Sequence, residues 1–146
     1  MFRTLSAILG ILFVVAACGE SPQTMSLSPP PPAPPPPAKE WMVFFDTDST
    51  TLSQQASTTI TEAASVAKST ANSKVAVTGF TDTEGAVAYN QALSVRRANA
   101  VKNALVSNGI SPQAITVTGD GEQGLLVPTP DQTKNPNNRR VKIVVQ

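Results

Sequence analysis

Two patterns of apolar residues follow one another along the chain after residue 40, first a continuous run and then a helical spacing. The aromatic and β-branched run 41–45 ends at the polar cluster 46–49, which is typical of a strand that enters a loop. Apolar side chains then recur at helical spacing, at Leu52, Ala56, Ile60, Ala63, Ala64 and Ala67. This part of the chain therefore predicts a strand followed by an amphipathic helix.

Further segments follow in the order strand, helix, strand and strand, at 74–80, 86–106, 115–118 and 140–145. The pair Asn108-Gly109 is a stop signal for the second helix. A Gly- and Pro-rich stretch, 119–136, separates the last two strands. The order β-α-β-α-β-β predicts an α+β fold, a sandwich in which two helices pack on one mixed sheet.

The first 17 residues carry a single charge, Arg3, ahead of an apolar run. This run, 5–15, is followed by the small residues Ala16 and Ala17, which is the layout of a secretory signal peptide. The apolar stretch of about 14 residues is shorter than the ~20 that a transmembrane helix needs. Residues 1–17 are therefore predicted to be an export signal rather than a permanent membrane span.

Cys18 is the only cysteine of the chain and lies at the predicted cleavage point. With the three residues before it, Val-Ala-Ala, it resembles a bacterial lipobox, whose cysteine becomes the lipid-modified first residue of the mature protein. Several acyl chains give stable attachment, and Gly19 is not the aspartate that retains lipoproteins in the inner membrane. The resemblance predicts a lipid anchor at Cys18 in the outer membrane. An ordinary signal cleaved before Cys18 would instead leave a soluble periplasmic protein with a free thiol.

Residues 18–39 contain most of the prolines, with eight in the nine positions 29–37. No packed core forms from such a composition. Consecutive prolines extend at about 3.1 Å per residue, which predicts a semi-rigid tether of up to roughly 65 Å. A proline run also serves in some proteins as a docking ligand for aromatic-lined grooves. Residues 40–146 are then predicted to be the single folded domain.

Composition narrows the chemistry that this domain is able to perform. Eleven Lys and Arg residues against ten Asp and Glu residues give a net charge of +1, too balanced for nonspecific binding of nucleic acid. Histidine is absent and the one cysteine precedes the domain, so the domain lacks His/Cys zinc sites and His-paired nucleophiles. We therefore expect no metal and no cofactor.

Arg97 stands out in the second predicted helix. At about 100° per residue the apolar stripe of this helix consists of Tyr89, Leu93, Ala100, Val101, Ala104 and Leu105, and Arg97 lies in its middle. A guanidinium there loses hydration but keeps its proton, so it requires an anionic partner or a carboxylate ligand. Asp82 lies just before this helix. The residues alone leave two interpretations open, a buried salt bridge between Asp82 and Arg97 or a ligand site.

Four motifs occur in order within residues 40–146. They are FDTDS at 45–49, GFTD at 79–82 followed by Gly85, NQALSVRRA at 90–98 and NRRV at 138–141. Together they resemble the OmpA-like peptidoglycan-binding domain family, and the cysteine ahead of the domain is similar to that of the peptidoglycan-associated lipoproteins. The family commonly has a histidine where this chain has Phe80.

The resemblance implies a noncatalytic domain that binds peptidoglycan. In the family, the aspartate of the Thr-Asp motif and the last residue of the Leu-Ser-x-x-Arg motif hold the two ends of diaminopimelate in the stem peptide, and these positions are Asp82 and Arg97 here. A zwitterionic ligand suits this pair, since its ammonium faces the carboxylate and its carboxylate accepts charge-assisted hydrogen bonds from the guanidinium. The resemblance also brings Thr81, Asn90, Asp46, Arg139 and Arg140 to the ligand.

Some of these residues have simpler interpretations. Asp46 and Asp48 also suit a role in capping the next helix or ordering their own loop. Arg139 and Arg140 also suit a solvated strand edge.

The sequence leaves three candidate functions, of which one is favoured. The leading prediction is an outer-membrane lipoprotein, anchored through Cys18, whose periplasmic domain binds diaminopimelate and tethers the membrane to the cell wall. The alternative is a periplasmic scaffold that binds Tol-like proteins in an envelope-spanning complex. An enzyme would have to use Asp46, Asp48 and Asp82 as acid and base without a nucleophile or metal, and is disfavoured.

Overall fold

The computed structural model describes residues 37–146, which form two helices and four strands around one core. The strands are β1 (Lys39–Phe44), β2 (Val75–Phe80), β3 (Ile115–Gly121) and β4 (Arg140–Val145), and the helices are α1 (Gln54–Ser69) and α2 (Val87–Ser107). A 3₁₀ turn, Pro112–Ala114, precedes β3. The element order and the α+β class confirm the prediction from the sequence.

All four strands belong to one mixed sheet in the order β1-β4-β2-β3. Strand β4 is antiparallel to both of its neighbours, whereas β2 and β3 are parallel and are joined by α2. Every second side chain of a strand faces the same side of the sheet, and these positions are buried at Val43, Val75, Val77, Val141, Ile143 and Val145. Residues of both helices belong to the same core cluster, so the helices pack on one face of the sheet.

Helix α1 begins at a capping serine. The Oγ of Ser53 accepts a hydrogen bond from the backbone N of Ala56 at 3.1 Å, which satisfies one of the N–H groups that a first helical turn leaves without a partner. Its buried face consists of Ala56, Ile60, Ala63, Ala64 and Ala67, as the pattern predicts. Leu52 lies before the helix and is half-buried against the core.

Helix α2 lies close to β2 and β3 because two glycines face it. A Cβ atom at Gly79 would overlap the carbonyl group of Ser94, and one at Gly119 would overlap the side chain of Val95. The Oγ of Ser94 also accepts a hydrogen bond from the backbone N of Gly121 at 3.0 Å. This close approach fixes the middle of α2, which carries Arg97, against the ends of the two strands.

The buried face of α2 differs from the predicted stripe. Its buried residues are Asn90, Leu93, Ser94, Arg97, Ala98, Val101 and Leu105. Arg97 is therefore buried as predicted, but Tyr89 is 45% exposed and Ala100 and Ala104 are only half-buried. The prediction was wrong at Tyr89 because this side chain borders a cavity rather than the sheet.

Element boundaries shift by at most two residues from the prediction except in β3. This strand continues to Gly121 instead of ending at residue 118, because it stays paired with β2 as far as Phe80. Helix α2 ends at Ser107, followed by Asn108 as its C-cap and by Gly109 at φ +91°, in agreement with the predicted stop. The predicted export signal, the lipid site at Cys18 and the tether up to residue 36 lie outside the described residues.

Candidate ligand-binding site

A cavity of about 260 Å³ lies between the loop after β1, the β2–α2 turn, the first turns of α2 and the loop before β4. It is lined by Thr47, Asp48, Asp82, Glu84, Gly85, Tyr89, Asn90, Leu93, Arg97, Lys134 and Arg139. Three of these residues are acidic and three are basic, so their formal charges balance. Such a lining is electrostatically complementary to a small ligand that carries both signs of charge.

Arg97 is fully buried, with 0% of its surface exposed. Its guanidinium donates to three main-chain carbonyl groups, through Nε to Ser49 at 2.9 Å, Nη1 to Phe80 at 3.2 Å and Nη2 to Asp46 at 2.8 Å. A guanidinium has five N–H groups, so two remain without an acceptor among the described residues. The three carbonyl groups therefore fix the plane of the guanidinium at the wall of the cavity.

Burial lowers the pKa of Arg97 to about 10, because the charged form of the guanidinium is less stable once it has lost its hydration. The carboxylates of Asp82 and Asp48 oppose this shift, and the neighbouring charge of Arg139 adds to it. The ring of Phe45 lies 5.4 Å from the Cζ of Arg97. Arg97 is thus still a cation at neutral pH, and it is held in one orientation.

Asp82 does not form the buried salt bridge with Arg97 that the sequence left open. Its Oδ2 lies 3.2 Å from the Nη1 of Arg139 and accepts a hydrogen bond from the backbone N of Asn135 at 3.1 Å. Arg139 is fixed in turn by a bond from its Nε to the carbonyl of Phe45 at 3.1 Å. The Oδ1 of Asp82 has no donor among the described residues. One oxygen of this carboxylate is therefore oriented by two donors of the protein, whereas the other is bonded by none of the described residues.

Asn90 connects helix α2 to the turn that carries Asp82. Its Nδ2 contacts the carbonyl groups of Asp82 at 3.4 Å and Glu84 at 3.1 Å, and the carboxylate of Glu122 at 2.9 Å. Only 2% of its surface is exposed. Asn90 therefore holds Asp82 in a fixed position relative to Arg97, which lies two turns further along the same helix.

The segment 128–138, which we call the strap, is held against the β2–α2 turn by side chains. The Oγ1 of Thr83 donates to the carbonyl of Pro130 at 2.6 Å and accepts from the N of Thr133 at 3.1 Å. The side-chain amide of Gln132 bonds both the N and the O of Gly85, at 3.2 and 3.1 Å. These bonds order a stretch for which the Gly and Pro pattern predicted neither helix nor strand.

The structure brings four of the predicted site residues together in the cavity, namely Asp82, Asn90, Arg97 and Arg139. The loop 46–48 reaches the cavity through Thr47 and Asp48. Neither Asp46 nor Asp48 caps α1, because Ser53 does so.

Three predicted site residues lie outside the cavity. Asp46 contributes its carbonyl to Arg97, but its exposed side chain lines a neighbouring cavity along β1. Thr81 is 1% exposed, and its Oγ1 has no hydrogen-bond partner among the described residues. Arg140 is buried, with its guanidinium 4.1 Å from the ring of Phe80 and its Nη2 bonded to the carbonyl of Gly124. A solvated strand edge is therefore also the wrong description of Arg140.

The cavity contains residues that the sequence did not single out for binding. Glu84 was within reach of sequence reasoning, because it shares a short turn with Asp82. No sequence pattern indicated Lys134, since it lies in the irregular strap. It reaches the cavity because its neighbours Thr133 and Asn135 are bonded to the β2–α2 turn. Tyr89 and Leu93 line the cavity although the helical pattern assigned both to the core stripe.

Two further properties concern metals and membranes. Within residues 37–146, no group of three or more His, Cys, Asp or Glu side chains is placed to hold a metal ion. In the same part of the chain, no helix combines the length and the hydropathy that a bilayer crossing requires.

The chain matches the OmpA family over residues 44–139 and belongs to that family. An outer membrane protein of Gluconacetobacter diazotrophicus is 40% identical over 111 residues, which cover 72% of this chain and 29% of that protein. A peptidoglycan-associated lipoprotein of Pseudomonas putida is 34% identical over 100 residues, which cover 68% of this chain and 60% of that protein. This chain thus spans less than two thirds of the length of either curated relative.

The fold agrees with a solved structure of the same class. The crystal structure of the peptidoglycan-associated lipoprotein from Burkholderia pseudomallei has a TM-score of 0.66 and 30% identity, over 72% of this chain and 89% of that chain. The family and the fold that the four motifs predicted are therefore both confirmed.

Proposed function

We propose that this protein is a noncatalytic lipoprotein of the outer membrane that binds the diaminopimelate of peptidoglycan stem peptides in the 260 Å³ cavity. The observation that supports the proposal most strongly is the burial and the incomplete hydrogen bonding of Arg97. Arg97 is fully buried, has two N–H groups without an acceptor within residues 37–146 and faces a cavity. The same cavity contains the carboxylate of Asp82, of which only the Oδ2 is hydrogen-bonded in this part of the chain. Buried donors without partners are costly, so a ligand carboxylate that accepts from them binds at a favourable site.

The free end of diaminopimelate carries an ammonium and a carboxylate on one carbon atom. In this proposal the carboxylate accepts from the two remaining N–H groups of Arg97, and the ammonium donates to the Oδ1 of Asp82. Both contacts are charge-assisted hydrogen bonds, which are stronger than neutral ones. Arg139 and Asn90 position Asp82 before the ligand arrives, which reduces the entropy that binding costs.

The same arrangement argues against a hydrolase. The Oδ2 of Asp82 is engaged by the Nη1 of Arg139 at 3.2 Å and by the backbone N of Asn135 at 3.1 Å, so this oxygen is already committed to two donors of the protein. Among the residues that line the cavity, the hydroxyl groups of Thr47 and Tyr89 have no hydrogen-bonded base among the described residues, and the amine of Lys134 is paired with Glu84, so none is placed as an activated nucleophile. We therefore assign the domain a binding role.

The tether completes the proposed mechanism. A lipid on Cys18 holds one end in the outer membrane, residues 18–39 form a spacer, and the domain in the periplasm binds the wall. The name of the Pseudomonas putida relative, peptidoglycan-associated lipoprotein, supports this assignment. Modest affinity for one stem peptide suffices, because many membrane-bound copies face a polymer with many sites.

A second candidate function is the binding of a Tol-like periplasmic protein. It is favoured by a second cavity, of about 370 Å³, between the end of β1 and the first turns of α1. The apolar side chains of Met42 and Phe44 line it and are 38% and 47% exposed on an edge strand. Exposed apolar groups on a strand edge are a common place for an extended segment to add.

Sedimentation with peptidoglycan tests the proposal. Full-length protein in mild detergent is mixed with insoluble diaminopimelate-type peptidoglycan, together with the variants Asp82→Asn and Asp131→Asn. Asp131 is a matched control, since it is exposed and does not line the cavity. We expect the wild type and Asp131→Asn to sediment and Asp82→Asn to stay in solution. Equal sedimentation of all three would reject the cavity as the binding site, and release of soluble fragments would indicate a hydrolase.

A further inference from the structure

The mouth of the cavity carries an ion pair that the proposed function does not use. The Nζ of Lys134 lies 3.3 Å from the Oε2 of Glu84, and both side chains line the cavity. The two side chains are 61% and 41% exposed. Exposed pairs of this kind contribute little to stability, so Lys134 is able to exchange Glu84 for another carboxylate at small cost.

The backbone on both sides of Lys134 is bonded to the turn that carries Asp82. The N of Thr133 donates to the Oγ1 of Thr83 at 3.1 Å, and the N of Asn135 donates to the Oδ2 of Asp82 at 3.1 Å. Lys134 therefore does not reach the cavity from a freely placed loop. Its position is fixed relative to the carboxylate that we assign to the ligand ammonium.

The charges of the cavity are not all satisfied within the protein. Asp82 pairs with Arg139 and Glu84 pairs with Lys134, whereas Arg97 has only carbonyl acceptors among the described residues. Arg97 is fully buried in the cavity wall, whereas the side chain of Lys134 is 61% exposed to solvent. A peptide that places one carboxylate on Arg97 thus meets a second cation where the rest of the peptide leaves the cavity.

We propose that Lys134 binds a second carboxylate of the peptide whose zwitterionic end occupies the cavity. The site then prefers stem peptides with a free carboxylate at this position over amidated ones. This inference rests on the proposed function and specifies which chemical form of the ligand is bound. Lys134 adds specificity, while Arg97 and Asp82 provide most of the affinity.

Two carboxylates of a tripeptide stem have this chemistry. One is the α-carboxylate of the γ-linked glutamate that precedes diaminopimelate, and the other is the carboxylate of diaminopimelate at its peptide-chain end. Each lies several bonds from the zwitterionic carbon atom. Amidation removes the negative charge of either group and leaves its shape almost unchanged.

Isothermal titration calorimetry of the full-length protein in detergent distinguishes which of the two carboxylates Lys134 binds. The probes are the tripeptide alanyl-γ-glutamyl-diaminopimelate and its two single amides, one at each candidate carboxylate. We expect the wild type to bind the unmodified tripeptide about two- to fivefold more tightly than one of the two amides, as for an exposed ion pair. The amide that loses affinity identifies the carboxylate that Lys134 contacts. High salt should reduce the preference, because the pair is exposed.

Three variants test whether Lys134 causes this preference. Lys134→Gln should remove it, Lys134→Arg should keep it, and the matched control Lys68→Gln should behave as the wild type, since Lys68 is an exposed lysine of α1 that does not line the cavity. Glu84→Gln should keep or increase the preference, because it releases Lys134. If the ion pair only held the strap, Lys134→Gln and Glu84→Gln would weaken all three probes alike.

The outcomes separate this inference from the proposed function. Equal affinity of the wild type for all three tripeptides, or an unchanged preference in Lys134→Gln, would overturn the role of Lys134 and leave diaminopimelate binding intact. Failure of the wild type to bind the unmodified tripeptide would overturn the proposed function and this inference with it.

Discussion

Two arginines of this domain lose almost all contact with water, and their surroundings differ. Arg97 is 0% exposed, donates to three carbonyl groups and borders a cavity that contains Asp82. Arg140 is 6% exposed and donates to one carbonyl, that of Gly124, at 3.0 Å. Its Nε and Nη1 have no acceptor among the described residues, and its guanidinium lies 4.1 Å from the ring of Phe80.

Burial alone therefore does not identify a ligand-binding arginine. Burial lowers the pKa of Arg97 and the pKa of Arg140 alike. The two arginines differ in what surrounds the guanidinium. Three carbonyl groups fix the plane of Arg97 beside a cavity, whereas the aromatic ring of Phe80 partly compensates the charge of Arg140. This difference supports the proposal that Arg97 binds the ligand, whereas Arg140 packs against Phe80.

The largest expected effect is that of Arg97→Met. This change removes three hydrogen bonds to main-chain carbonyl groups, while the carbonyl of Asp46 keeps its bond from the backbone N of Ser49. We expect a loss of about 2 kcal/mol or more in the free energy of unfolding, at roughly 1 kcal/mol or more for each of the other two carbonyl groups. Urea unfolding followed by circular dichroism measures it. The matched variant Arg140→Met should change stability by no more than about 1 kcal/mol, because the removed charge was poorly paired. Similar large losses of stability in both variants would mean that the two arginines are held equally strongly by their surroundings.

A smaller effect should separate the aromatic contact of Arg140 from its burial. A double-mutant cycle with Phe80→Leu and Arg140→Met should give a coupling free energy of about 1 kcal/mol, typical of a partly desolvated cation–π pair. Urea midpoints of the wild type, both single variants and the double variant provide it. A coupling of zero would mean that Phe80 and Arg140 contribute independently.

The smallest effect concerns the titration of Arg97, which carbon NMR of labelled arginine side chains measures directly. Burial lowers the pKa of Arg97 to about 10, so the folded state binds fewer protons than the unfolded state above that pH. On account of Arg97 alone, stability should rise with pH above about 10, whereas affinity for a carboxylate should fall. Saturating stem tripeptide should raise the pKa of Arg97, because a bound carboxylate favours the charged form. A ligand-induced shift at Arg140 instead would reverse the assignment.

Much of the fold could be predicted because its signals are local. The alanine spacing of α1, the Asn108-Gly109 stop and the alternation in β4 each report backbone geometry within a few residues. The error at Tyr89 arose because a helical wheel gives the direction of a side chain but not what lies opposite it. The bonds of the strap link Thr83 to residues about fifty positions away, and no periodicity encodes them.

The candidate site was predictable only in part for the same reason. The burial of Arg97 followed from its position among apolar residues, but its partners are carbonyl groups of Asp46, Ser49 and Phe80, and a carbonyl group has no sequence signature. The pairing of Asp82 with Arg139 depends on how the strap returns to β4. Sequence could therefore nominate the charged groups but not pair them.

We propose that the cavity between Asp82 and Arg97 binds the zwitterionic end of diaminopimelate. Titration of isotope-labelled full-length protein in detergent with the stem tripeptide, followed by NMR, tests it without altering the fold. We expect saturable shifts that are largest at Asp82, Asn90 and the Nε of Arg97, with little change at the Nε of Arg140. The absence of saturable shifts in the cavity, or their concentration along β1 or at Arg140, would contradict it.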